Sequence, residues 1–258
     1  MRTRCGPAAA AGAALALLTE VALHRWAPGG DARWQRTNHR CVSVSLLSGP
    51  ALAVGATVTS GLPGAAAVAA GWGAGAVGRL DDAAGGADGA RGVRGHAAAL
   101  RRGRITTGSL KVVGIGAAGV LSAALLPGRQ SLPDLVVNAG LVAGSANMVN
   151  LLDLRPGRAL KAVLLASVAL DLPGPAGAAA ALLPADLRER SMLGDAGANS
   201  AGALLGLAMA HRLAPRSRRT AVLGLILALT AISEMVSYSR VIEATPLLHW
   251  WDRLGRLP

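Results

Sequence analysis

Three acidic positions, far apart in the chain, carry residue types that could do chemistry together. Asp81-Asp82 ends a long uncharged run, Asp153 lies in NMVNLLDLRPGR at 147–158, and Asp195 lies in MLGDAGANSAGALLG at 192–206. Adjacent carboxylates repel unless a cation or a base neutralises them. Hard oxygen donors of this kind suit Mg²⁺, which takes one or two carboxylates together with substrate phosphates and water. The plain alternative for Asp81-Asp82 is a solvated loop start beside Arg79. Asn147, Asn150 and Asp153 recur at i, i+3 and i+6, within an arc of about 120° on one helical face. Such a face can hold a sugar, a phosphate or a metal-bound water, and it can equally serve as hydrogen-bonding glue between membrane helices. In Gly194-Asp195-Ala196-Gly197 a carboxylate sits in a turn directly before an apolar helix. Helix amides attract anions there, so a cation could bridge Asp195 to a diphosphate; a simple N-cap is the other reading.

The elements that must position these residues are apolar. Of 258 residues 52% are hydrophobic and only 16% charged, with 34 Gly and no Phe, and the mean hydropathy is +0.43. This excludes an ordinary soluble enzyme and a disordered tail. Small residues let membrane helices approach closely, and two Cys exclude a disulfide-dense scaffold. From Cys41 to Gly78 no residue is charged, long enough for a two-helix hairpin turning near Gly61-Leu62-Pro63-Gly64. The other predicted spans cover residues 6–23, 109–127, 132–152, 159–172, 175–187, 196–211 and 220–239. The expectation is one all-α domain over 1–258, a polytopic membrane bundle of about nine helices. The first span is read as a helix, not a cleaved signal peptide.

The net charge is +12. With 5 Trp, 1 Tyr and no Phe there is little to stack bases, so basic cytoplasmic loops explain the charge better than nucleic acid. Most Lys and Arg fall inside if the amino terminus is outside and the carboxyl terminus cytoplasmic. Arg212, Arg216, Arg218 and Arg219 oppose that count. The same topology puts Cys5 and Cys41 on opposite sides, unable to pair. Residues 246–255 (PLLHWWDRLG) read as a short amphipathic helix that folds back, with Trp250 or Trp251 in the interface and His249 toward the acidic pocket. The alternative is that this segment is only an interfacial anchor.

Asp81-Asp82, NMVNLLD, LGDAGANSAGALLG and PLLHWWDRLGR occur in the order seen in the polyprenyl-phosphate sugar-1-phosphate transferases, a family this chain resembles. RTNHRCVSVSLLSGP at 36–50 is similar to that family's first cytoplasmic loop, and Ala231 to Val241 to its late span with a buried Glu, here Glu234. The resemblance implies transfer of a sugar-1-phosphate from a UDP-sugar to polyprenyl phosphate at the cytoplasmic face of the cell membrane, in cell-wall (peptidoglycan-type) glycan biogenesis. It implies Asp81, Asp82 and Asp153 as catalytic residues and Mg²⁺ on Asp195 and Asp82. It implies Lys111, Asn147, Asn150 and His249 as substrate-binding residues. A homodimer is left open. The sequence departs from the family at Asp153-Leu154-Arg155-Pro156-Gly157, where a second Asp is usual, and at Cys41, where a Gly is usual. The histidine cluster is reduced to His249. A non-catalytic homologue that binds lipid carriers or organises envelope enzymes is the rival expectation.

Overall fold

The computed structural model describes residues 5–84 and 106–257, and the chain is mostly helical. Arg2 and Arg4 lie outside the described residues, and so do positions 91–105 of the basic loop 91–111, which is expected to attract the nucleotide sugar. Helix α1 is Cys5–Trp26, α2 Ser48–Val58, α3 Gly64–Ala84 and α4 Thr107–Ala124. Then come α5 Leu132–Leu152, α6 Arg158–Ala169, α7 Pro173–Leu187 and α8 Gly194–Arg212. The last three are α9 Arg216–Ser233, α10 Tyr238–Ala244 and α11 Pro246–Arg253.

Local chemistry accounts for several boundaries. The Thr106 hydroxyl accepts the Ser109 amide while the Ser109 hydroxyl accepts the Thr106 amide, a capping box that starts α4. Ser131 caps α5, with Pro133 and Asp134 in its first turn. The span predicted at 132–152 is this helix, residue for residue.

Among the described residues three helices, α1, α4 and α5, are long and apolar enough to cross a membrane; α9 with α10 makes a fourth if that pair is one span, bent by 94°. That many apolar helices, with Leu18, Val112, Val113 and Val136 exposed on their outer faces, mark a membrane-associated protein. The expected hairpin over Cys41–Gly78 is corrected in its first half. Residues 43–45 form strand β2, paired antiparallel with β1 at Gln35–Thr37, and α2 has only 11 residues. At 1.5 Å per residue it reaches about 16 Å, short of a bilayer core. Helices α6 and α7 likewise have 12 and 15 residues. The predicted span at 220–239 breaks after Ser233, where the chain turns into α10. Glu234, expected to be buried, is therefore exposed at a helix end.

Helix α8 is the centre of the bundle: nearly its whole circumference is buried, and it packs on α2, α3 and α5. Small residues permit this. A Cβ at Gly202 would collide with the Ser145 carbonyl of α5, and one at Gly78 of α3 with the Asp195 carbonyl of α8. Overpacking of this kind costs about 1–3 kcal/mol. Gly78→Ala is expected to lower the thermal unfolding temperature of the purified protein. Gly224→Ala, at a helical position with nothing within 4 Å, is expected to leave it unchanged or raise it. Equal unfolding temperatures for Gly78→Ala and the wild type would refute the close-packing account.

The four arginines that oppose the charge count are partly spent inside the fold. Arg212 donates to the Leu170 carbonyl and, at 2.7 Å, to the Asp171 carbonyl at the end of α6. Arg219 bonds Asp134 at 2.9 Å and Asn138 at 2.8 Å, both on α5.

Candidate active site at one end of the bundle

The polar side chains gather at one end. The carboxyl ends of α3, α5 and α7 and the amino ends of α4 and α8 meet there, so residues more than a hundred positions apart become neighbours. Asp82 on α3 accepts the backbone N–H of Asp195 and of Ala196, each at 3.1 Å, and so caps the first turn of α8. Gly194 just before has φ +59°, and a Cβ on it would press on both Asp82 oxygens. Arg36, on β1, approaches Asp82 at 3.7 Å. It is carried there by the 3-10 turn Asp31–Trp34, whose Trp34 ring lies 4.0 Å under the Arg79 guanidinium of α3.

Next to this cap lies a cradle of oxygens around one ammonium. Lys111 Nζ, at the start of α4, is 2.6 Å from Asp195 Oδ2 and 3.2 Å from Asp81 Oδ2. It is 3.5 Å from Asn150 Oδ1, and the Asn150 amide donates to the other Asp195 oxygen. Asp81, Asp82, Asn150 and Asp195 come together here, with Lys111 among them. Asp153, directly after α5, lines with Asp82, Asn150 and Asp195 a cavity beside the cradle, which Asp81 and Lys111 do not border; it is 8% exposed and its Oδ2 is buried with no hydrogen-bond partner. Burial, with the Asp186 and Asp195 charges beside it, pushes its carboxyl well above the ordinary range.

Two expected site residues are placed elsewhere. Asn147 donates to the Thr230 hydroxyl of α9 at 3.4 Å and does not line the cavity. It bonds the neighbouring helix, in the glue role. His249, on α11, does not line that cavity either. It lines an adjoining depression with His39, Arg40, Asp252, Arg253 and Arg256. His39, Pro156 and Glu189 border both.

The main cavity is about 500 Å³ and is also lined by Arg36, Asn38 and His39, from the 36–50 stretch, and by Asp186 and Glu189, which the sequence does not set apart. Asp186 is 3% exposed and accepts the Gly157 amide at 3.2 Å. Glu189, in the left-handed region at φ +54°, accepts Asn38 at 2.6 Å and Arg40 at 3.0 Å. These contacts pin the β1–β2 turn against the α7–α8 connection, and Ser45 adds a backbone bridge to it through Arg190 and Met192. For Asp186 and Glu189 the available signal is the cluster of charges in ADLRER following an apolar run.

No known protein family, curated protein or solved structure matches this chain.

Among the described residues no three His, Cys, Asp or Glu side chains form a group that could by themselves hold a metal ion. Mg²⁺ does not require one, since substrate phosphates and water complete its shell. The donor set fits: two carboxylates and an amide oxygen already surround a cation, the Lys111 ammonium.

Proposed function

We propose that this protein is a membrane enzyme that moves a sugar-1-phosphate from a UDP-sugar to a polyprenyl phosphate and releases UMP. The observation that carries the reading is the convergence of Asp81, Asp82, Asp153 and Asp195 with Lys111 and Asn150 at one end of an apolar bundle. In this reading the site end faces the cytoplasm, the amino terminus lies outside, and the short helices α2, α6 and α7 are packed between the longer ones. An oxygen of the polyprenyl phosphate attacks the phosphorus that bears the sugar. The bond from that phosphorus to the bridging oxygen breaks, and UMP leaves with the electron pair. One diphosphate ester replaces another, so the protein's task is placement and charge neutralisation.

Asp195, with Asp81 or Asp82, would hold Mg²⁺, which offsets the repulsion between the two anions. Lys111 and Arg36 bring positive charge to the phosphates. Asp82 aims the first amides of α8 by accepting two of them. Asp153, whose carboxyl burial and the neighbouring Asp186 and Asp195 charges push upward, faces the space where the phosphates would lie. Asp186, Asn38 and His39 border the space left for the sugar and nucleoside.

The test is release of UMP from purified protein given a UDP-sugar, polyprenyl phosphate and Mg²⁺. Product is expected with at least one common UDP-sugar and none after chelation with EDTA. Absence of UMP with every common UDP-sugar would overturn the proposal.

A further inference from the structure

The Lys111 ammonium sits in a cradle of oxygens contributed by three helices. Three oxygens lie around it, Asp195 Oδ2 at 2.6 Å, Asp81 Oδ2 at 3.2 Å and Asn150 Oδ1 at 3.5 Å. These three come from three different helices, α3, α5 and α8, and the lysine reaches them from a fourth. The lysine side chain is 18% exposed and the two carboxylates 21% each, so the cradle is open on one side. A monovalent ammonium and a divalent cation cannot share those oxygens: like charges a few ångströms apart repel, the more so away from bulk water. Lysine suits such an exchange because its charge sits at the end of a flexible stem with freely turning donors.

We infer that Lys111 and the divalent cation are alternative occupants of the Asp81–Asn150–Asp195 cradle, so that cation entry releases the Lys111 ammonium into the adjoining cavity to meet the substrate phosphates. This rests on the proposed reaction for what Lys111 does once released, but the exchange itself is a property of the cradle. Before the cation enters, Lys111 keeps two facing carboxylates from repelling each other and holds α3, α4 and α8 in register. Afterwards its charge is available to an anion, and the cradle stays neutralised. Lys111 is thus a competitor for the cation in one state and a phosphate ligand in the other.

Mn²⁺ serves as a spectroscopic probe of the cradle. The whole chain, purified in detergent, is titrated with Mn²⁺ and free ion is read by electron paramagnetic resonance. Lys111→Gln is expected to bind Mn²⁺ about 10-fold or more tightly than the wild type, because a competing positive charge is gone. Lys111→Arg, which keeps the charge, is expected to show no gain. Equal or weaker binding by Lys111→Gln overturns the exchange while leaving the proposed reaction standing. No binding by any of the three proteins overturns the exchange and also the metal-assisted part of that reaction. A second measurement needs no variant. Amine acylation of the wild type, mapped by mass spectrometry, is expected to rise several-fold at Lys111 when Mn²⁺ saturates the protein. Unchanged or reduced labelling of Lys111 under saturation overturns the exchange.

Discussion

Asp195→Asn is expected to reduce UMP release by about 100- to 1000-fold, the range seen when one preorganised charge-stabilising contact is removed from a reacting centre. Asp195 is where the site's interactions meet: one oxygen faces Lys111 at 2.6 Å, the other takes the Asn150 amide, and its backbone N–H is held by Asp82. Asparagine keeps the size and the backbone contact but loses the charge that would hold a cation or balance Lys111. The fold should survive, since the Asp82 cap on α8 acts on main-chain groups that the substitution leaves in place. The measurement is a pair: steady-state UMP release and thermal unfolding of the same preparation. Activity within 10-fold of wild type would remove Asp195 from the reacting centre. Loss of activity together with collapse of the unfolding transition would reassign Asp195 to structure.

Asp252→Ala is expected to destabilise the carboxyl-terminal segment by about 3–5 kcal/mol, the usual result of stripping one partner from a buried ion pair. Arg158 at the start of α6 grips Asp252 of α11 with two bonds, Nε at 2.8 Å and Nη2 at 2.9 Å, both side chains being 6% exposed. Arg256 joins the same carboxylate, and Lys161 donates to the Trp251 and Asp252 carbonyls at 2.9 and 3.0 Å. Without the carboxylate three cations face one another in a confined space. Burial alone would push the Asp252 carboxyl up, but the Arg158 bond and charge outweigh it and hold it below the usual range. The stabilisation is therefore fully present above the ordinary carboxylate pKa and is lost as pH falls through the lowered folded value. Trypsin cleavage at Arg240 and Arg253 reports the release of α10 and α11, and it should accelerate in Asp252→Ala. Replacing the pair together, Arg158→Met with Asp252→Leu, should recover most of the loss, because well-packed apolar groups often match a buried pair. Unchanged proteolysis in Asp252→Ala would show that the apolar contacts of α11 hold it without the pair.

This clamp also explains why the outer face of α11 stays presented. Leu247, Trp250 and Leu254 are 71%, 59% and 46% exposed while Asp252 is buried, so the helix is amphipathic in place, as its sequence predicts. His249 remains on the side of the second depression. The distance from the acidic cradle is thus a consequence of how α11 is anchored, and the anchor residues lie on α6.

What the sequence determined by itself is whatever depends on near neighbours. The apolar runs, the Ser131 and Thr106 caps and the Pro before or within first turns mark α1, α4 and α5 closely, because hydropathy and capping act over a few residues. The acidic positions were legible for the same reason: a charge at the end of an apolar run is conspicuous locally. Contacts between partners far along the chain come from the fold alone. Asp82 meets the Asp195 amide across 113 positions, and nothing beside Asp82 announces that bond. Asn147 and Asn150 look equivalent in sequence, yet packing turns one toward Thr230 and the other toward Asp195. Asp186, Glu189 and His39 became cavity residues because a small β-hairpin and the α7–α8 connection happen to pair. Among the described residues fewer helices are long and apolar enough to cross a membrane than the apolar runs suggest, because a buried apolar helix and a membrane-crossing one share a composition. Length, bends and the neighbours that cover a face separate them, and those are properties of the folded chain.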